Sequence, residues 1–245
     1  MRSALFMLYL YGGMAGLGIL AFPLALANRA AGIGAIRLWA LYTLFGLRWI
    51  AGVRVRFEGL EHVPDGPVLI AAKHQSNLET IAAFLVLRDP AMVLKRELLK
   101  LPLYGWFAVR TGMIVVDREA HAKALRDLVR TAKARFAEGR PVVIFPEGTR
   151  RAPGAPPDYK PGVAALYREL GGACVPVALN TGQFWDARGK LNRRGAAVLQ
   201  FLPPIPPGLS RQDFMQALED RIEPASAALA AGLAVRPLEA AAAAG

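Results

Sequence analysis

Cysteine is almost absent from this chain. Cys174 is the only one in 245 residues, so no intrachain disulfide can form. It lies in Gly171-Gly172-Ala173-Cys174-Val175-Pro176, where a small packed thiol is the expected reading. Histidine is scarce too: three residues, with no zinc-ligand spacing, so no metal site is expected. Neither Ser76 nor Cys174 sits in a nucleophile-elbow context such as G-x-S-x-G. Acidic residues are missing from one end. None precedes Glu58, whereas Arg2, Arg29, Arg37, Arg48, Arg54 and Arg56 all do. Over the chain 30 Lys and Arg stand against 19 Asp and Glu, a net charge of +11 that suits an anionic partner. The basic residues are dispersed and no aromatic stacking module accompanies them, which argues against nucleic acid and for an anionic membrane surface.

What the chain has in quantity is apolar side chains, 54% of residues with a mean hydropathy of +0.29, high for a soluble enzyme. No charge occurs from Ser3 to Asn28, a run long enough to cross a bilayer, although Gly12, Gly13, Gly16, Gly18 and Pro23 interrupt it. The run is long for a signal peptide and no cleavage site leads into a polar start, so a retained anchor is expected. Ala30 to Leu47 is also apolar but carries Arg37, and reads as an interfacial segment. The arginines after the first segment predict association with the inner (cytoplasmic) membrane, catalytic domain on the cytoplasmic side.

From about Val53 the pattern changes to short apolar runs separated by helical stretches. Val68–Ala72, Met113–Val116, Val142–Phe145, Cys174–Leu179 and Ala197–Leu202 read as buried strands, with helices over Ser76–Leu87, Ala120–Glu138 and Val163–Leu170. The expectation is an α/β fold, a mixed central sheet covered by helices, with an N-terminal membrane-associated helical segment. Residues 1–50 would anchor, 51–208 would form the α/β domain, and 209–245 would add a helix over Ser210–Glu223 and an alanine-rich tail. Arg151 to Gly162, with its prolines and glycines, reads as a loop.

Two short segments carry candidate chemistry. In Lys73-His74-Gln75-Ser76-Asn77-Leu78-Glu79 a histidine precedes a carboxylate by five positions. On one helix that spacing leaves the side chains about 140° apart, so they meet only if His74 lies in a turn and Glu79 in the next helix's first turn. Ser76 to Glu79 matches a capping box, which starts the helix at Ser76. Glu79 would then hold one imidazole nitrogen and leave the other as a base, and amides near Ser76 would serve a tetrahedral oxyanion. The alternative is a simple helix cap beside a turn histidine. The second segment, Phe145-Pro146-Glu147-Gly148-Thr149-Arg150, ends a buried strand in a tight turn. Arg150 offers a fork for a phosphate; Glu147 would hold a glycerol hydroxyl or order Arg150. Arg118 closes another strand and Lys95 is a further phosphate contact. Leu98 to Phe107, with Trp106, is expected to be core, the lining of an apolar tunnel being the alternative.

These segments, with Gly112 to Arg118 and Val175 to Asn180, resemble the ordered motifs of PlsC-type lysophosphatidate acyltransferases over roughly residues 30 to 208. The resemblance implies transfer of a fatty acyl group from acyl-CoA or acyl-carrier protein to the 2-hydroxyl of 1-acylglycerol 3-phosphate, giving phosphatidate, at a membrane and without a cofactor. It implies His74 and Glu79 as the catalytic pair, and Lys95, Arg118, Glu147, Gly148, Thr149 and Arg150 around the phosphate and glycerol. The family most often has aspartate where this chain has Glu79. Another lysophospholipid, or lyso-ornithine lipid, is the alternative acceptor, and a non-catalytic basic membrane binder the alternative class.

Overall fold

A computed structural model describes residues 1–117 and 121–232. Arg118 and the alanine-rich end beyond residue 232 lie outside the described residues. Helix α1 (Arg2–Ala27) runs unbroken through Pro23, and α2 (Arg29–Gly46) continues as a π turn, Leu47–Ala51. Asn28, extended between them, caps α2 through Ala30 N–H. The two helices form an antiparallel hairpin zipped by Tyr9 and Tyr42, whose rings stack at 3.9 Å. Each tyrosine hydroxyl donates to the other's backbone carbonyl, at 2.9 and 3.3 Å. A Cβ on Gly13 would overlap the Tyr42 ring and one on Gly46 the Tyr9 ring, so both positions need glycine for this close approach.

Both helices are long and apolar enough to cross a membrane by length and composition. Leu5, Leu8, Ile19, Leu20, Leu24, Leu41, Phe45 and Trp49 are exposed. Arginines fasten the hairpin to the body. Arg37 donates to the Phe84 and Leu87 carbonyls, Arg110 to those of Ala25 and Leu26, and Arg29 makes a bidentate pair with Asp89 at 2.7 and 2.9 Å. At the other end Ser3 accepts from Leu191 N–H. Arg37, read from sequence as a mark of an interfacial face, is turned inward.

Among the described residues seven strands form one sheet: β1 (Val53–Glu58), β2 (Leu69–Ala72), β3 (Ala91–Lys95), β4 (Ile114–Val116), β5 (Val142–Ile144), β6 (Cys174–Leu179) and β7 (Gly195–Phe201). Their order is β1-β7-β6-β2-β5-β3-β4, parallel except between β6 and β7. Alternation sorts the strand residues between two cores. Ile70, Ala72, Met92, Val143 and Val177 pack under α1, α2, α3 (Leu78–Val86) and α4 (Tyr104–Arg110). Leu69, Ala71, Val142, Ile144 and buried Cys174 pack against α5 (His121–Ala137), α6 (Gly162–Leu170) and α7 (Arg211–Ala230). The α/β fold with a mixed, helix-covered sheet is the one expected. Strands β1 and β3 and helix α4 were not anticipated. Helix α7 does not stop at Glu223 but passes Pro224, because Ala225 and Leu229 still have Ala178, Val198 and Leu202 to bury against.

Candidate active site

Strands β2 and β5 are neighbours and parallel, so the turns that follow them meet at the carboxyl edge of the sheet. After β2, Lys73 N–H still pairs with Val177 O; the chain then leaves the sheet at His74 and enters α3 at Leu78, two residues later than the capping box suggested. Glu79, in the first turn of α3, reaches back over the turn. Its Oε1 accepts from His74 Nδ1 (2.8 Å), Gln75 N–H (2.6 Å) and Ser76 N–H (2.6 Å), while Oε2 accepts from Thr181 Oγ1 (2.8 Å). Glu79 is only 2% exposed, and with these donors its orientation is fixed. His74 is stacked on Phe145, with ring centroids 4.2 Å apart. The bond to Glu79 assigns the proton to Nδ1 and leaves Nε2 as the basic nitrogen.

The backbone of His74 is fastened to the second turn. Its carbonyl accepts from Arg151 N–H at 2.8 Å and its N–H donates to Glu147 Oε2 at 3.2 Å. Gly148 takes φ +66°, a conformation that favours glycine, and its N–H closes the turn on Phe145 O. Thr149 and Arg150 project outward, with Arg150 Nη1 donating to Asn77 Oδ1 at 2.8 Å.

His74, Asn77, Gly148, Thr149, Arg150 and Lys95 all line one cavity of about 570 Å³. Its polar end is this rim; its depth is apolar, between α1, α2 and α4. Leu98, Leu101, Leu103, Tyr104 and Phe107 contribute to the lining, so this segment borders the cavity rather than being core alone. Trp106 packs on Phe22 instead.

Two readings are corrected. Glu147 does not join Arg150 at the rim: it is 1% exposed, turned inward to Lys73 and the His74 backbone. Burial raises its pKa, against the opposing pull of Lys73. The amides at Gln75, Ser76 and Leu78 are taken by Glu79 and the Ser76 hydroxyl, so they are not oxyanion donors here. Arg118 lies outside the described residues. Sequence reasoning missed Thr181, which directly follows the Val175–Asn180 segment, and gave no role to Lys73, Asn77 or Glu223. Among the described residues no group of three or more His, Cys, Asp or Glu is arranged to hold a metal ion.

A base at the polar end of a long apolar cavity suits transfer of an acyl chain to a hydroxyl, the work of a lipid acyltransferase. The chain belongs to the acyltransferase family, whose profile matches residues 54–180 and so takes in His74, Glu79 and the turn after β5. It is 35% identical over 190 residues to a 1-acyl-sn-glycerol-3-phosphate acyltransferase of Pseudomonas aeruginosa, covering 77% of this chain and 74% of that one. A human 1-acyl-sn-glycerol-3-phosphate acyltransferase alpha is 27% identical over 219 residues, 88% of this chain and 77% of its own. Among solved structures, the 1-acyl-sn-glycerophosphate (LPA) acyltransferase PlsC of Thermotoga maritima has the same fold. Its TM-score is 0.78 at 21% identity, over 96% of this chain and 100% of that one.

Proposed function

We propose that this enzyme transfers a fatty acyl group from an acyl thioester to the 2-hydroxyl of 1-acylglycerol 3-phosphate, forming phosphatidate for phospholipid synthesis. The observation that carries this reading is the shared rim: a Glu79-oriented histidine and a forked cation border the same apolar cavity. His74 Nε2 takes the proton of the acceptor hydroxyl as its oxygen attacks the thioester carbonyl. The C–S bond then breaks, and the protonated histidine returns the proton to the departing thiolate. Glu79 keeps the tautomer and steadies the imidazolium while it exists. Arg150 grips the acceptor phosphate with Lys95, and Arg118 is proposed as a third contact. The apolar depth takes an acyl chain. The donor, acyl-CoA or acyl-carrier protein, is a substrate, and no prosthetic group has a part in these steps.

The hairpin supports embedding in one face of an anionic bilayer. A helix of 26 residues is about 39 Å long, enough to cross about 30 Å of hydrocarbon. Yet both ends of α1 hold the same domain, at Leu191 and at Arg110. A crossing helix would have to give up one of these contacts. The catalytic domain is proposed to face the cytoplasm.

The test is thiol release from acyl-CoA and from acyl-carrier protein, with a panel of lyso-lipid acceptors. Activity selective for 1-acylglycerol 3-phosphate, at least about 10³-fold lower in His74→Ala, is expected. Arg150→Ala is expected to raise the KM of the phosphate acceptor about tenfold or more and leave the donor KM near its starting value. An acceptor without phosphate that works equally well would overturn the phosphate assignments. A fully active His74→Ala would overturn the chemistry.

A further inference from the structure

Beneath the histidine lies a charge cluster that the acyl-transfer steps do not use. Lys73 is 2% exposed, and its ammonium meets two carboxylates. Glu223 of α7 is the nearer, with Oε1 at 2.6 Å and Oε2 at 2.8 Å; Glu147 Oε1 is 3.4 Å away. Tyr159, in the loop after the β5 turn, donates its hydroxyl to Glu223 Oε1 at 2.7 Å. The other oxygen of Glu147 accepts the His74 N–H. A continuous path thus runs from the C-terminal helix through Glu223, Lys73 and Glu147 to the main chain of His74. Glu223 also lies outside the segment matched by the family profile.

We propose that Glu223, oriented by Tyr159, is a positioning residue for His74, acting through Lys73 and Glu147; this rests on the reading of His74 as the base. The two carboxylates share one buried ammonium unequally. While Glu223 holds Lys73 with both oxygens, Glu147 keeps only a long contact to it and its Oε2 is free to hold His74. Without Glu223, a buried ammonium has one carboxylate left, and leaving it poorly paired is costly. Lys73 then closes on Glu147 and competes with the His74 N–H for it. The turn carrying His74 shifts, and displacement of a base by about an ångström costs up to about 10²-fold in rate. Lys95 ends β3 and Arg150 is held by Asn77, and among the described residues neither is hydrogen-bonded to Lys73, Glu223 or His74, so acceptor binding is spared.

The experiment measures kcat and KM on folded protein, well below each variant's melting temperature, for Glu223→Gln, Glu223→Asp, Lys73→Gln and the double variant Lys73→Gln/Glu223→Gln, with His74→Ala in parallel. Glu223→Gln is expected to lower kcat about 10- to 100-fold with acceptor KM within about twofold, and Glu223→Asp to recover part of the loss. The double variant should be no slower than Lys73→Gln alone, since Glu223 acts through that lysine. A kcat for Glu223→Gln within about twofold of the parent, or a double variant slower by the product of the two single losses, overturns the proposal. Should Glu223→Gln fail to fold, Tyr159→Phe decides. A few-fold loss of kcat at unchanged KM supports the path; an unchanged kcat overturns it. An inactive His74→Ala beside a fully active Glu223→Gln overturns the positioning role alone, whereas an active His74→Ala overturns the reading beneath it.

Discussion

Glu79 and Glu147 follow adjacent parallel strands, each nearly without exposure, and they end in different company. Glu79 gathers two backbone amides, a hydroxyl and the His74 ring, all from its own turn except Thr181. Glu147 gathers the His74 amide and a buried lysine that a second carboxylate already holds. The first carboxylate holds the imidazole ring, the proposed base, and the second holds the backbone that carries it. Two glutamates at equivalent edges of one sheet are thus separated in role by their partners, and neither residue type nor depth of burial distinguishes them.

The hardest test of that contrast is to neutralise each in turn. Glu79→Gln keeps an oxygen and loses the charge that steadies the imidazolium, so kcat should fall about 10²- to 10⁴-fold. Glu147→Gln can still accept from His74 N–H, and a loss of about tenfold is expected. Equal losses in steady-state rate would erase the distinction. Glu79→Asp sharpens it further: the charge remains but the reach shortens by a methylene, and the carboxylate can no longer meet His74, Gln75 and Ser76 together. A loss of about tenfold is expected, with the amide version remaining the worse variant.

The sequence carried the contacts that are local in the chain and missed those that are not. His74 and Glu79 lie five positions apart, so helix geometry lets them meet only if one sits in a turn and the other in the first helical turn, which is the arrangement found. The Glu147–Arg150 pairing looked equally local and was wrong, because Glu147 turns inward to Lys73 and the His74 N–H while Arg150, beyond the Gly148 turn, is exposed and bonds Asn77. Lys73 and Glu223 are separated by 150 positions, and no spacing rule joins them. Among the elements, long buried runs such as Cys174–Leu179 were readable from composition. Strand β1 was missed although Val53-Arg54-Val55-Arg56-Phe57-Glu58 alternates: Arg54 and Arg56 belong to the basic end of the sequence, yet in the sheet they are the outward face of an edge strand. The helix expected over Ser210–Glu223 runs on past Pro224, since burial of the residues beyond it outweighs the one hydrogen bond that proline removes.

Thr181 is the one Glu79 partner that comes from a distant strand end, and it probes how much of the orientation is non-local. Thr181→Val keeps the shape and removes the donor to Oε2. The two amides and the imidazole still fix the other oxygen, so kcat should drop only a few-fold and stability by about 1 kcal/mol, read by thermal melting. A loss as large as that of Glu79→Gln would move the main support of the carboxylate from its own turn to β6.

The smallest effect expected concerns Glu147 and pH. Burial, the dominant influence, raises its pKa above the ordinary carboxylate value of 4.5; Lys73 opposes that rise and Glu223 adds to it. Between the ordinary and the raised value the folded protein holds a proton that the unfolded chain has released. Stability therefore falls as pH rises through that window, and the penalty is complete above the raised value. A glutamine at this position has no proton to lose. The melting temperature of the parent minus that of Glu147→Gln should accordingly shrink by a few °C on going from about pH 4 to pH 7. A difference that grows with pH would mean that the Lys73 ammonium outweighs burial. Glu147 would then be an ordinary stabilising ion-pair carboxylate, and the contrast with Glu79 would rest on partners without any cost of burial.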